Sequence, residues 1–206
     1  MALWLKYVLI GIGGYLMGNI SLGILIARFY GIKDIRKVGS GNAGTTNVLR
    51  NLGWFPSIMT LVGDCLKSLI PALIGGWVAG DVGLLIGGTA AIVGHDFPVF
   101  FKFKGGKGIA STLGLIIAID PLLAVCMLVP VLIIIAITRY VSVGSIAAAA
   151  FLPILLFITN GESTAVCIIT ACIGASVIWR HRANIIRLMN HTESKLDFSK
   201  LKGKKK

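Results

Sequence analysis

IASTLGLIIAIDPLLAVCMLVPVLIIIAITR runs from Ile109 to Arg139, with Asp120 as its one acidic residue and Pro121 directly after it. How this stretch is divided decides the fold. Taken as one span, Ile109–Ile137 would leave Arg139 on the outer side of a bilayer. Taken as two, Ile109–Ile119 and Leu122–Ile137, it puts Arg139 on the side of the other basic connections. The remaining apolar runs are Leu3–Ala27, Trp54–Trp77, Leu84–Phe100, Ser142–Ile158 and Thr164–Trp179. Several fall short of the ~20 residues that a spanning helix needs. Ile109–Ile119 is the shortest and reads as a short span or a re-entrant segment.

Charge tests the division. Arg28, Lys33, Arg36, Lys37 and Arg50 surround the first connection, Lys102, Lys104 and Lys107 the next, and Arg180, Arg182, Arg187 and a Lys-rich end close the chain. The alternate connections carry Asp81, Asp120 and Glu162 and no Lys or Arg. Basic loops stay in the cytoplasm. All basic loops share one side if there are about seven crossings with the N-terminus outside and the C-terminus cytoplasmic. The expected fold is therefore an all-α integral membrane protein, some of its helices short or re-entrant. Residues 1–198 form a single transmembrane domain and 199–206 a basic cytoplasmic tail.

Composition agrees: of 206 residues, 56% are hydrophobic and 14% charged. The N-terminal apolar run is too long for a signal-peptide core and lacks a basic start, so it reads as the first span. Cys65, Cys126, Cys167 and Cys172 all lie in apolar runs without metal spacing, and neither a disulfide nor a metal is expected. The net charge of +12 is scattered over short loops and a tail. That pattern suits anionic lipid or phosphorylated substrates and excludes a nucleic-acid face.

Three polar segments share the predicted cytoplasmic side. GSGNAGTTNVLR, Gly39–Arg50, sets glycine amides beside Ser40, Asn42, Thr45, Thr46 and Asn47, with the planar fork of Arg50 at its end. It reads as an anion cradle or, plainly, as a hydrophilic loop with a basic end. In HDFPVFFKFKGGKG, His95–Gly108, Lys107 between glycines can reach a phosphate, while Lys102 and Lys104 suit membrane anchoring. It is no Walker A loop, because Phe101 and Gly108 stand where a glycine and a Ser or Thr are needed. In RHRANIIR, Arg180–Arg187, His181 and Asn184 share a face of a helix. Asp64 and Lys67 lie three apart inside a span, where they can neutralise each other or carry protons, and Asp64 can also brace a basic residue. His95 reads as structural.

Metal-hydrolase and glycosidase signatures are missing, as is a nucleophile elbow. No histidine stands four residues before an aspartate, which disfavours a CoA- or carrier-dependent acyltransferase of that type. A phosphate or phospholipid transporter would use the same basic groups, but no internal repeat supports it.

VGSGNAGTTNVLR, GHDFPVFFKFKGGKG and RHRANIIRL follow one another in the order of three cytoplasmic motifs. They resemble those of the bacterial PlsY family, the acyl-phosphate-dependent glycerol-3-phosphate acyltransferases. The likeness covers nearly the whole chain; Val38 and Arg182 are its small departures. It implies a seven-helix fold in the bacterial inner membrane, with the active site on the cytoplasmic side. It implies transfer of an acyl group from acyl phosphate to the 1-hydroxyl of glycerol 3-phosphate, giving lysophosphatidate and phosphate, the first acylation of phospholipid synthesis. No cofactor is implied. The partners are the two substrates and the bilayer. The implied catalytic residues are Ser40, Arg50, Lys107, His181 and Asn184. Gly41, Asn42, Gly44, Thr46, Asn47, Lys104, Gly105, Gly106 and Gly108 would bind substrate phosphate.

Overall fold

The computed structural model describes residues 1–159 and 164–197, and all regular structure among them is helical. They fall into two compact units, 1–119 and 120–197. Glu162 and the tail 199–206 lie outside the described residues.

In the first unit the N-terminal run forms two helices, α1 (Leu3–Gly18) and α2 (Leu22–Phe29), where one span was expected. The break has a cause in Asn19. Its fully buried side chain donates from Nδ2 to the Tyr15 carbonyl at 2.6 Å, competing for the backbone. The broken ladder leaves the Ile20 carbonyl to be satisfied from elsewhere, and Lys67 Nζ donates to it at 2.9 Å. In an apolar solvent such a carbonyl would otherwise cost several kcal/mol.

After the short α3 (Thr45–Leu52) comes α4, Trp54–Asp96. Its 43 residues would make a rod of about 65 Å, twice the ~30 Å of a hydrocarbon core. The chain instead turns at Ala79 and Gly80, where Gly80 has φ +65°, a conformation glycine adopts without strain. The two arms, 54–78 and 81–96, run antiparallel. A Cβ on Gly83 would overlap the Gly75 carbonyl, one on Gly87 the Pro71 carbonyl, and Ser68 Oγ donates to the Gly88 carbonyl at 3.1 Å. Small residues let these backbones touch, which is how helices pack where lipid supplies no hydrophobic drive. α1 lies antiparallel to the first arm, with Lys6 Nζ on the Val78 carbonyl at 3.2 Å. It runs parallel to the second, with Gly14 against Gly87 and Gly18 against Ala91.

α5 (Ile109–Ile119) packs on the same hairpin, Gly114 against the Cys65 carbonyl and Ser111 Oγ donating to the Asp64 carbonyl at 3.0 Å. It ends where the sequence suggested. Asp120 is extended (φ −155°), and its carboxylate caps α6 (Pro121–Thr138) by accepting from the N–H groups of Leu122 and Leu123 at 2.8 and 3.2 Å. The stretch 109–137 is thus two helices. The run expected to reach Phe100 leaves the helix at Asp96, because Pro98 follows.

In the second unit α6, α7 (Val141–Thr159) and α8 (Thr164–Arg180) alternate in direction, with Gly144 against Val131 and Gly174 against Ala149. A bend of 52° separates α8 from α9 (Arg182–Met189). The segment after α9 returns to the start of α7, the Leu196 N–H donating to the Arg139 carbonyl at 2.7 Å.

Both units are inside out by the standards of a water-soluble protein. Trp77 is 89% exposed and Ile137 77%, while Asn19, Thr60, Ser68 and Ser111 are fully buried. That distribution fits an apolar solvent. The stretches 3–29, 54–101, 121–138 and 141–158 are each long and apolar enough to cross a bilayer, the second of them folded into its two arms.

At the centre of the hairpin Asp64 Oδ1 meets Lys67 Nζ at 2.8 Å, with the side chains 3% and 4% exposed. Removing one partner strands the other, which costs roughly 3–5 kcal/mol, whereas replacing both is far milder. Thermal unfolding in detergent should therefore show large losses for Asp64→Asn and Lys67→Met singly and a smaller loss for the double variant.

Candidate active site

The first glycine-rich loop is built on a small apolar core. Ile24 and Ala27 of α2, Ile35, Ala43 and Val48 of α3 pack together, with Ile32, Leu52 and Phe101 at their edge. Each fully buried Ile or Val contributes roughly 1.5–3 kcal/mol. The loop above this core is organised by Asn47, which is 1% exposed. Its Nδ2 donates to the carbonyls of Ile35 (3.0 Å), Val38 (3.0 Å) and Asn42 (2.8 Å). Its Oδ1 accepts from the Ser40 N–H at 2.9 Å and from Asn51 Nδ2 at 3.1 Å. The structure thus gives Asn47 the task of shaping the loop.

The other residues of this segment stand nearer the surface. Ser40 and Gly41 are exposed. Asn42 Oδ1 accepts from the Gly44 N–H at 2.8 Å, a local turn that starts α3 at Thr45. The first N–H groups of a helix have no partner within it. Those of Thr45 and Thr46 open α3, with half-buried Arg50 one turn further on.

The second loop has the same grammar. Lys104 is exposed, Gly105 and Lys107 half-buried, Gly106 and Gly108 buried. Gly108, at φ +80°, leads into α5, and its carbonyl accepts from the Thr112 N–H at 2.7 Å. Each glycine-rich loop therefore runs into a helix N-terminus, an arrangement suited to anions.

Arg36 ties the two loops together. Its guanidinium pairs with Asp34 at 2.9 Å, donates to the carbonyls of Phe101 and Lys104 at 3.1 Å each, and lies 5.6 Å from the Phe101 ring centre. The hydrogen bond from Arg36 lowers the Asp34 pKa to about 2. Sequence reading counted Arg36 only as one basic residue of the loop; its partners lie 65 and 68 positions away.

In the second unit His181 is the N-cap of α9, with φ −91° and ψ 4°, and its carbonyl accepts from the N–H groups of Asn184 and Ile185 at 2.8 and 2.9 Å, so that it shares the opening turn with Asn184. The ring is buried, and its Nδ1 lies 2.8 Å from the Val177 carbonyl. A carbonyl only accepts, so Nδ1 carries a proton and donates it to Val177. Asn184 Nδ2 donates to Glu193 Oε1 at 2.8 Å. The same carboxylate accepts from Ser142 Oγ at 3.0 Å and Arg187 Nε at 2.6 Å. Burial pushes the Glu193 carboxyl up, but the three donors outweigh it and hold its pKa below the usual value. Glu193 was missed from the sequence; the available signal was an acidic residue inside a strongly basic C-terminal region.

A family model described as glycerol-3-phosphate acyltransferase matches residues 8–191. The glycerol-3-phosphate acyltransferase of Trichlorobacter lovleyi is 45% identical over 89% of this chain and 94% of its own. That of Clostridioides difficile is 40% identical over 93% and 96%. The crystal structure of PlsY, an integral membrane glycerol 3-phosphate acyltransferase, in its glycerol 3-phosphate form superposes with a TM-score of 0.90 at 39% identity, covering 96% of this chain and 99% of that one. Its lysophosphatidic acid form gives 0.86 at 38% identity, covering 95% and 97%.

Because the Glu193 pKa is lowered by folding, the stability it contributes is present above the ordinary glutamate pKa of ~4.3 and is lost as pH falls below it. Glu193→Gln should cost roughly 1.5–3 kcal/mol near neutral pH. Thermal unfolding followed from pH 7 to 3.5 should find the gap between wild type and variant closing at the acid end.

Proposed function

The chain belongs to the glycerol-3-phosphate acyltransferase family, the PlsY family, and from that premise we propose that it transfers a fatty acyl group from acyl phosphate to the 1-hydroxyl of sn-glycerol 3-phosphate. The products are lysophosphatidic acid and inorganic phosphate, and the step is the first acylation of phospholipid synthesis. The protein is multi-pass. In our reading it crosses the bacterial inner membrane about seven times, N-terminus outside, so that its basic loops and its chemistry face the cytoplasm. The count takes α1–α2, the two arms of α4, α5, α6, α7 and α8 as one crossing each. It is supported by the turn at Gly80 and the helix break at Asp120. Residues 1–198 act as one transmembrane enzyme domain, and 199–206 as a cytoplasmic basic tail.

The observation that carries the chemical reading is the pair of glycine-rich loops, each ending at a helix N-terminus and each supplying a cation, in a unit whose helices otherwise face lipid. Two phosphorylated substrates, one with an acyl tail, need such groups beside the membrane. Ser40, Gly41, Asn42, Gly44 and Thr46 offer hydroxyl, amide and backbone donors to phosphate. Gly105, Gly106 and Gly108 keep the second loop's backbone open to it, with Lys104 nearby. Asn47 serves the same site by holding the first loop in shape. Arg50 and Lys107 stabilise the charge that builds on the departing phosphate.

The hydroxyl oxygen of glycerol 3-phosphate attacks the acyl carbonyl carbon. The new ester bond forms there, the bond from that carbon to the phosphate oxygen breaks, and phosphate leaves with the electron pair. The hydroxyl proton must be taken up as this happens. His181 orients the glycerol 3-phosphate or assists its hydroxyl, and Asn184, held by Glu193, serves the same substrate. Acyl phosphate is an activated donor, so no strong protein base is required. For the same reason transfer is direct: a covalent acyl-enzyme would need an activated nucleophile beside a base, and splitting the reaction would gain little. Holding both substrates in line can supply ~7–11 kcal/mol.

Arg50→Ala and Lys107→Ala should each lower turnover by ~10²–10³ with folding retained, while Lys102→Ala stays near wild type. Equal losses at Lys102 and Lys107 would contradict the assignment. Intact-protein mass spectrometry after incubation with acyl phosphate alone should find no adduct. A stoichiometric acyl group on Ser40 or His181 that glycerol 3-phosphate then discharges would overturn direct transfer.

A further inference from the structure

His95, near the end of the second arm of α4, has no part in the chemistry above, yet it is 8% exposed and its surroundings are specific. One edge of the imidazole lies against the second glycine-rich loop so closely that a Cβ on Gly106 would overlap Nε2 and Cε1. The Gly106 N–H donates to the carbonyl of His95 itself at 3.1 Å. A Cβ on Gly105 would overlap that same carbonyl and come within 2.5 Å of Pro98 Cδ. The opposite edge faces the hairpin's ion pair, with Nδ1 3.6 Å from Asp64 Oδ1. Asp64 is in turn fixed by Lys67 at 2.8 Å and, through its carbonyl, by Ser111 of α5 at 3.0 Å. The ring is therefore clamped between a buried carboxylate and the turn that presents Lys107.

We propose that His95 is a positioning residue for acyl transfer: its imidazole, backed by Asp64, is the template on which Gly105–Gly106 folds and thereby fixes the place of Lys107. This rests on the reading of Lys107 as the cation that meets the departing phosphate. It accounts for the paired glycines in physical terms. Gly105 has no room because of backbone, and Gly106 has no room because of a side chain. It also explains why an imidazole stands here. The site wants a flat group with a polar edge toward Asp64, and an apolar ring of the same size would leave that carboxylate facing nothing polar on this side. The backing matters because a displacement of ~1 Å at a reacting group can cost ~10²-fold in rate.

The difference between the two glycines supplies the test. Steady-state kinetics of purified protein with palmitoyl phosphate and glycerol 3-phosphate would compare wild type, His95→Ala, Gly106→Ala, Gly105→Ala and the two double variants. Gly106→Ala alone should lower kcat by ~10²-fold. His95→Ala should lower kcat by at least ~10-fold with KM within ~2-fold, the pattern of an interaction made in the transition state. In the double variant His95→Ala/Gly106→Ala the added methyl no longer meets a ring, so kcat should stay within ~3-fold of His95→Ala alone, whereas independent losses would multiply to ~10³. Gly105→Ala should be equally harmful with and without the ring, because its methyl meets backbone. Multiplying losses at Gly106, or an unchanged kcat in His95→Ala, would overturn the proposal. If His95→Ala does not fold, His95→Gln carries the same comparison: a fall in kcat at unchanged KM supports positioning, and a lower Tm with unchanged kcat refutes it. Wild-type turnover in Lys107→Ala would instead defeat the reading of the site, whatever Gly106 does.

Discussion

One ion pair inside the first unit connects most of what the unit has to achieve. Lys67 and Asp64 sit one helical turn apart in the first arm of α4, both buried among helices whose outer faces are apolar. Burying two charges is costly unless each finds further partners. Each does. Lys67 reaches back to the Ile20 carbonyl left open where the first apolar run breaks, and Asp64 faces His95 across the hairpin. Through His95 the pair touches Gly106, and the backbone carbonyl of Asp64 accepts from Ser111 of α5, whose N-terminus follows the same loop. Polar groups that would be a liability in hydrocarbon lie here against the second glycine-rich loop.

The first loop is supported differently. It lies over a compact apolar core, and one side chain, Asn47, satisfies three carbonyls and one N–H of the chain wrapped around it. Arg36 then fastens this loop to the second one by two carbonyls and the face of Phe101. Arg36 and Lys67 are spent on the fold, although their chemistry would equally suit an anion. In the second unit Glu193 plays the organising part, gathering Ser142, Asn184 and Arg187 on one carboxylate.

Much of this could be read before any coordinates. Long apolar runs and the sidedness of lysine and arginine led to a helical membrane protein, and Asp120 with Pro121 marked the division of the longest run. The three motifs led to the family, which the relatives bear out. Hydropathy could not reveal the break at Asn19, because the flanking residues are apolar on both sides and the cause is one side-chain amide. Nor could it separate the polar residues that face one another from those that face outward. Ser40 and Asn47 look alike in a polar loop, yet one is exposed and the other buried. Arg36 with Lys104, His95 with Gly106 and Ser142 with Glu193 are meetings across long sequence separations, and no local pattern records them.

As proposed, these loops serve a reaction between two phosphorylated substrates. The measurement closest to it is donor dependence. Purified protein would be supplied with glycerol 3-phosphate and, in parallel, with palmitoyl phosphate, palmitoyl-CoA or palmitoyl carrier protein, and lysophosphatidic acid and inorganic phosphate would be quantified together. The account predicts one phosphate released per lysophosphatidic acid formed from palmitoyl phosphate, no release without glycerol 3-phosphate, and no product from either thioester. Lysophosphatidic acid formed from a thioester at a comparable rate, or phosphate released from palmitoyl phosphate with no acceptor present, would contradict it.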